Sequence, residues 1–272
     1  MTLLLLFACG DKPGPGAAGD AKTIAELAWA RDVPFALKGG YSISIDAPKL
    51  GIGGTTRGGL LVHRPDKFRL EIFSPLGSPL FYAASDTALS LYLVTEETYF
   101  HTDDAEALLR GVTGGSAGVQ DFIALITGRL PFQDAELVDA VRNRKEQEST
   151  YTFAGPEGTR AVVTLDDRTL TNKRIDAYDG DDRLVLHAEY EDYMKVGRSR
   201  LPEEALIEVP MIEFTLELEF DTWDELGVIP DAFDLPDPGS KKQVDLNELV
   251  EKAVKAAEAG ERPESLDALM AE

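Results

Sequence analysis

From residue 36 to residue 100 the chain alternates apolar and polar side chains in short runs. Tyr41, Ile43 and Ile45 are interleaved with Ser42, Ser44 and Asp46, and Phe68, Leu70 and Ile72 with Arg69 and Glu71. A period of two puts one set on one face, so each run predicts a strand with a buried side. Leu60-Leu61-Val62, Leu80-Phe81-Tyr82, Leu89-Ser90-Leu91-Tyr92-Leu93 and Thr98-Tyr99-Phe100 continue the series, with a glycine-rich turn expected at Gly51, Gly53 and Gly54. Short strands separated by turn residues predict an antiparallel meander. The pattern resumes at 151–154, 159–165, 173–178 and 183–190, where Gly155-Pro156-Glu157-Gly158, Asp166-Asp167 and Asp179-Gly180 supply turns. From Ile212 to Phe220 apolar residues alternate with Glu213, Thr215, Glu217 and Glu219, which predicts a strand buried on one face and wet on the other.

A period near 3.6 marks the helices. One starts near Thr23, with Ile24, Leu27 and Ala28 on one stripe. A second spans 104–112, where Asp103 caps the start and Glu106 reaches back in a capping box. A third, 119–127, sets Phe122, Ile123 and Ile126 on one face and stops at Gly128, and residues 132–147 are expected to continue as helix. After Trp223 the chain is proline-rich and acidic, and a last helix, capped by Asp245, carries the stripe Leu246, Leu249, Val250, Ala253, Val254 and Ala257. The fold class is therefore α+β.

Charge narrows the partners. There are 27 Lys and Arg against 49 Asp and Glu, a net charge of -22. Residues 201–272 hold 20 of the acids and 5 of the bases. Such a field repels nucleic acid, which is excluded as a partner.

The single cysteine, Cys9, ends the run Leu3-Leu4-Leu5-Leu6-Phe7-Ala8-Cys9-Gly10. This looks like a bacterial lipobox, in which the cysteine sulfur is lipidated and the preceding segment removed. Residues 10–20 are rich in Gly, Pro, Ala and Asp and offer no core for a buried thiol. Two or more palmitate-type acyl chains anchor a protein stably, so the expectation is a lipid anchor at Cys9 and no membrane span. Beyond residue 9 no apolar run approaches the roughly 20 residues that a span requires. The expected organisation is a signal segment over 1–9, a flexible linker over 10–22, a folded domain over 23–225 and an acidic, Pro-rich and helical tail over 226–272.

Catalytic chemistry has no foothold. His63, His101 and His187 lie in three separate strand regions, without the close spacings that metal sites use. Asp103-Asp104, Asp166-Asp167 and Asp181-Asp182 sit where caps and hairpin turns need Asp. There is no Gly-x-Ser-x-Gly and no phosphate loop. The expectation is a protein that is not an enzyme, with no metal and no cofactor beyond the lipid on Cys9.

Two stretches carry a resemblance. Ser74-Pro75-Leu76-Gly77-Ser78 before an apolar strand, and Tyr99-Phe100-His101-Thr102-Asp103-Asp104-Ala105-Glu106-Ala107-Leu108-Leu109 followed by Phe122-Ile123-Ala124-Leu125-Ile126-Thr127-Gly128-Arg129-Leu130-Pro131, resemble the LolB family of outer-membrane lipoprotein receptors in order and spacing. The later strands, with a turn at Tyr190-Glu191-Asp192-Tyr193 and with Leu201-Pro202, look like the broader LolA/LolB pattern. The resemblance implies an unclosed antiparallel β-barrel, a half-barrel whose concave face is covered by helices, with a C-terminal helical tail added. It implies an apolar cavity for the acyl chains of client lipoproteins, passed on by a periplasmic carrier protein. It also implies that Leu76, the loop leucine, delivers the client to the membrane. Candidate cavity residues are Phe68, Leu70, Ile72, Leu80, Phe81, Leu91, Leu93, Phe122 and Ile126. Gly10 follows Cys9 where a retention signal would place Asp, which points to the periplasmic face of the outer membrane. The alternative is a structural or envelope-assembly lipoprotein that uses the same fold with a filled core. The acidic tail, longer than the family's ending, suits either.

Overall fold

The computed structural model describes residues 20–30, 34–48, 52–74, 76–77, 79–85, 88–132, 135–227, 233, 235, 239 and 241–259. Cys9 and its lipobox lie outside the described residues, as do Pro75 and the side chains of Leu80 and Phe81.

Six strands come first: β1 (Ala36–Ala47), β2 (Ile52–His63), β3 (Lys67–Phe73), β4 (Pro79–Ser85), β5 (Leu89–Leu93) and β6 (Thr98–Thr102), preceded by helix α1 (Ala21–Trp29). Helices α2 (Ala105–Val112) and α3 (Val119–Ile126) lead to β7 (Glu136–Asn143), β8 (Glu148–Ala154), β9 (Arg160–Asp166), β10 (Thr171–Tyr178), β11 (Leu184–Val196), β12 (Ser199–Val209) and β13 (Phe214–Leu226). Strand β14 (Lys242–Asp245) and helix α4 (Leu246–Ala259) complete the chain's described part.

All strands join one sheet in the order β14-β6-β5-β4-β3-β2-β1-β13-β12-β11-β10-β9-β8-β7. Its two ends do not pair, so the barrel is unclosed, as expected. Every pairing is antiparallel except β14 on β6. Two meanders, β1–β6 and β7–β13, are joined side by side where β1 pairs with β13, Ile43 opposite Leu218. Alternation sends Leu37, Tyr41 and Ile43 of β1, and Leu216, Leu218 and Phe220 of β13, into one core.

That core lies on the concave side, where helices fill it. α3 contributes Ile123, Leu125 and Ile126, each at most 1% exposed. The Phe122 ring meets Phe68 of β3 with centroids 5.2 Å apart, and the Tyr190 hydroxyl of β11 donates to the Leu125 carbonyl at 2.9 Å. One short helix thus spans both meanders. α1 buries Ile24, Ala25 and Ala28 and lays Trp29 edge-on to Phe153 of β8. It starts at Ala21, capped by Asp20, whose side chain accepts from the Thr23 amide at 2.8 Å.

Four local expectations are corrected. Residues 132–147 hold strand β7 instead of a helix, with a bulge between Leu137 and Asp139. Gly53 and Gly54 lie inside β2, opposite Asp46 and Ile45, instead of in a turn. The expected turn at Tyr190–Tyr193 is a kink within β11, where Asp192 has φ +49° and drops out of the pairing with β12. The cap of α2 is Asp104, whose carboxylate accepts from the Ala107 amide at 2.8 Å, while Asp103 accepts from His101.

The acidic tail attaches to the sheet. β14 pairs with β6, and Leu246 and Leu249 of α4 are buried. The side chains of Ala253, Val254 and Ala257 lie outside the described residues.

Candidate functional site

Among the described residues no trio of His, Cys, Asp or Glu is placed to hold a metal ion, and no helix is long and apolar enough to cross a membrane. What the concave side does offer is a cavity of about 590 Å³ beside α2 and α3. Its apolar lining comes from Ile123 and Ala124 of α3, Leu130 and Phe132 of the segment after it, and Phe153 and Ala161 of β8 and β9. Glu106, Arg110, Gln120, Asp121, Arg129, Glu136 and Arg160 supply its polar part. Ligand pockets commonly fall between about 300 and 1,000 Å³ with an apolar lining and a few fixed polar groups.

Two carboxylates build the helical wall. Glu106 of α2 accepts from Arg110 Nε at 2.7 Å and from the Val119 amide at 2.8 Å, which ties α2 to the start of α3. A Cβ at Gly118 would overlap the Glu106 carboxylate, so any side chain there would push that carboxylate off the Val119 amide. Asp121 accepts from the Gly118 amide at 3.0 Å and from the Phe132 amide at 2.8 Å, pinning the segment after α3 back onto the helix. Burial pushes the Asp121 carboxyl above the usual carboxylate range, and the amides of Gly118 and Phe132 with the Arg110 charge only partly offset it. Phe132 has φ +61°, a conformation that a bulky side chain rarely adopts. Such strain persists only where the surroundings impose it, and here Asp121 does so.

The arginines are engaged. Arg110 also donates to the Gly115 carbonyl at 3.0 Å, and Arg160 donates twice to Asp182 while stacking over the Tyr178 ring at 3.9 Å. With Glu106, Asp121 and Glu136 opposite Arg110, Arg129 and Arg160, formal charges balance around the mouth.

The sequence-derived candidates fall in the adjoining core. Phe68, Leu70 and Ile126 are buried, and Ile72, Leu91, Leu93 and Phe122 pack half-buried against the same cluster. None of these seven lines the 590 Å³ cavity. Leu76 is 94% exposed at the tip of the β3–β4 turn, which the Gly77 amide closes by donating to the Ser74 carbonyl at 2.8 Å. Sequence reasoning missed Asp121 and assigned Glu106 to its own helix. A signal existed: an acid three residues after Gly118 is where a helix start needs one.

The opposite face of the sheet carries charge. Ser42, Glu219, Glu204 and Glu191 stand directly opposite one another on β1, β13, β12 and β11, beside a shallow concavity of about 490 Å³ that Glu189 and Glu217 also line. The Asp pairs divide as well. Asp166 caps a turn by accepting from the Arg168 and Thr169 amides, whereas Asp167 is fully buried and holds Arg142 Nε at 2.7 Å and the Ser149 hydroxyl at 2.7 Å.

Comparison with solved structures gives the same architecture. The chain is similar to a LolA superfamily protein from Nitrosomonas europaea, with 14% identity, a TM-score of 0.53, and 80% of this chain and 99% of that one covered. A DUF1329 family protein from Desulfovibrio piger gives 14% identity and a TM-score of 0.56 over 79% and 98%. A domain of a putative outer membrane lipoprotein-sorting protein from Vibrio parahaemolyticus gives 13%, 0.53, and 78% and 95%. At these identities the likeness is one of fold, a LolA-like half-barrel. No family model matches the chain, and no curated protein matches it.

Proposed function

We propose that the chain is a lipid-anchored carrier of the LolB kind, which receives acyl chains or acylated client lipoproteins and passes them to the outer membrane without covalent chemistry of its own. The observation that carries this reading is the 590 Å³ cavity between the helices and the concave sheet face, with Ile123, Ala124, Leu130, Phe132, Phe153 and Ala161 as apolar lining. An amphiphile suits that lining: its polar head can meet Gln120, Arg129 and Glu136, while its chain reaches Ile123 and Phe153, each at most 1% exposed, by parting α3 from β8 and β9. The anchor on Cys9, a periplasmic carrier as donor, and Leu76 as the membrane-delivering side chain belong to the same proposal. The names of the similar structures, a LolA superfamily protein and a lipoprotein-sorting domain, support it at the level of fold.

The second reading, an envelope-assembly lipoprotein without a ligand, is favoured by the packing of Phe122 on Phe68 and the burial of Leu70 and Ile126, which fill the β3–β6 side of the half-barrel. A fluorescent fatty-acid probe separates the two. The Cys9→Ser chain should bind it, and Ala124→Phe, which fills the cavity, should abolish binding while leaving the thermal melt cooperative. A folded chain that binds no probe moves the assignment to assembly.

A further inference from the structure

The tail lends its own strand to the edge of the sheet, and the chemistry of that junction is specific. In β14 the residues Lys242, Gln243, Val244 and Asp245 stand opposite Thr98, Tyr99, Phe100 and His101 of β6. Three of those four β14 side chains are exposed and Val244 is half-buried. Backbone pairing and the flanking residues therefore hold the strand. On one side, Lys241 Nζ donates to the Tyr92 hydroxyl at 2.7 Å and lies over the Tyr92 ring, 4.4 Å from its centroid and 5.8 Å from that of Tyr99. Tyr82, Tyr92 and Tyr99 stand directly opposite one another on β4, β5 and β6, and the Tyr92 and Tyr99 rings stack at 4.4 Å. Glu97 adds negative charge beside the ammonium. On the other side, Asn247 Nδ2 donates to Thr102 Oγ1 at 2.9 Å.

We propose that the β6 edge with its Tyr92–Tyr99 clamp is a docking surface for an extended, lysine-bearing segment of a partner protein, and that residues 241–249 are the occupant such a segment displaces. An edge strand pairs an incoming strand through its free amides and carbonyls, and a pair of aromatic faces with a hydroxyl acceptor selects an ammonium. The occupant's chemistry is read from the tail itself, which shows that the edge accepts a strand with a lysine at this offset. A basic segment also suits a chain of net charge -22. The four β14 residues pair in parallel with little side-chain burial, which makes the strand itself a weak competitor, while a partner must also replace the buried Leu246 and Leu249 of α4. The surface is separate from the cavity beside α3, so it stands whether or not the carrier reading does.

While the tail is seated, a partner's apparent affinity is reduced to the fraction of time that the edge is open. The test uses the full chain in a Cys9→Ser background and a labelled synthetic peptide with the sequence of residues 239–250. Lys241→Glu in the chain loosens the tail and leaves β6 unaltered. The peptide should bind this chain about tenfold more tightly than the chain with Lys241. Alanine in place of the peptide's first lysine should remove the gain. A Thr98→Cys, Lys242→Cys chain, oxidised, locks the tail and should not bind; reduction with dithiothreitol should restore binding in the same molecules, which controls for folding. Equal affinity for the loosened, unaltered and locked chains, or no binding to the loosened chain, overturns the proposal. A loosened chain that instead forms concentration-dependent dimers gives the edge to a second copy and overturns it as well.

Discussion

The Tyr41 hydroxyl donates to the Glu71 carbonyl at 2.9 Å, reaching from β1 to β3 across the strand between them. It can do so because Gly58 of β2 has no side chain: a Cβ there would lie 2.3 Å from the Glu71 oxygen and 2.5 Å from the Tyr41 ring and hydroxyl. Tyr41 is 1% exposed, and burial pushes its hydroxyl far above the ordinary range, so it serves as a fixed donor.

Gly58→Ala must therefore expel the Tyr41 ring, and a loss of about 3 kcal/mol is expected from overpacking at this site. Tyr41→Phe keeps the ring and loses only the hydrogen bond, about 1 kcal/mol. Urea unfolding of the two variants measures the difference, and equal losses would show that the glycine is not there for the tyrosine.

Arg142 and Asp167 form a buried pair, 8% and 0% exposed, on β7 and the β9–β10 turn. Arg142→Ala leaves a carboxylate in the core with, among the described residues, the Ser149 hydroxyl as its side-chain partner, and should cost about 3–5 kcal/mol. Replacing both, Arg142→Met with Asp167→Leu, should recover most of that loss. Thermal melts of the single and double variants give the answer.

Asp121 makes the stability depend on pH in an unusual direction. Its carboxyl ionises near 3.9 or so when unfolded and higher when folded, because burial raises it. Between those two values the folded chain keeps a proton that the unfolded chain has lost, so stability falls as pH rises through the window. Asp121→Asn lacks this titration. The unfolding free energy of the variant minus that of the unaltered chain should climb across the window and level off above it, over a constant offset from the lost acceptor.

Glu204 stands between Glu219 and Glu191 in one row of the sheet. Like charges directly opposite destabilise, so Glu204→Lys should add about 0.5–1 kcal/mol. The gain should shrink in 1 M salt, where screening acts within about 3 Å.

Leu76→Glu should change stability by no more than about 0.5 kcal/mol, since the side chain is exposed. Under the carrier proposal it should still load an acylated client but fail to release it into liposomes. A variant that transfers normally would reduce Leu76 to a turn residue.

Most strands were legible because one face of each is buried, as with Phe68 and Leu70. β7 was not, and its bulge explains why. Inserting Val138 sets the inward-facing Leu137 and the next inward position, Ala140, three residues apart, so an edge strand imitates the spacing of a helix. β14 left no periodic trace, because an edge strand with exposed side chains buries no face; its backbone pairing with β6 reveals it. The cavity was illegible for a related reason. Its wall depends on Glu106 bonding an amide thirteen residues on, at Val119, and on a phenylalanine held at positive φ, and neither is written in local pattern.

The pairing of β1 with β13 has a consequence for how the chain is made. The middle of the sheet is completed only when nearly the last strand finds the first, so until β13 has been synthesised the two meanders are bridged through α3 and not through the sheet. Closing so long a loop is slow, since its entropy must be met before any contact rewards it. Such a chain stays open during synthesis, and it acquires its final shape only after its last strands have been made.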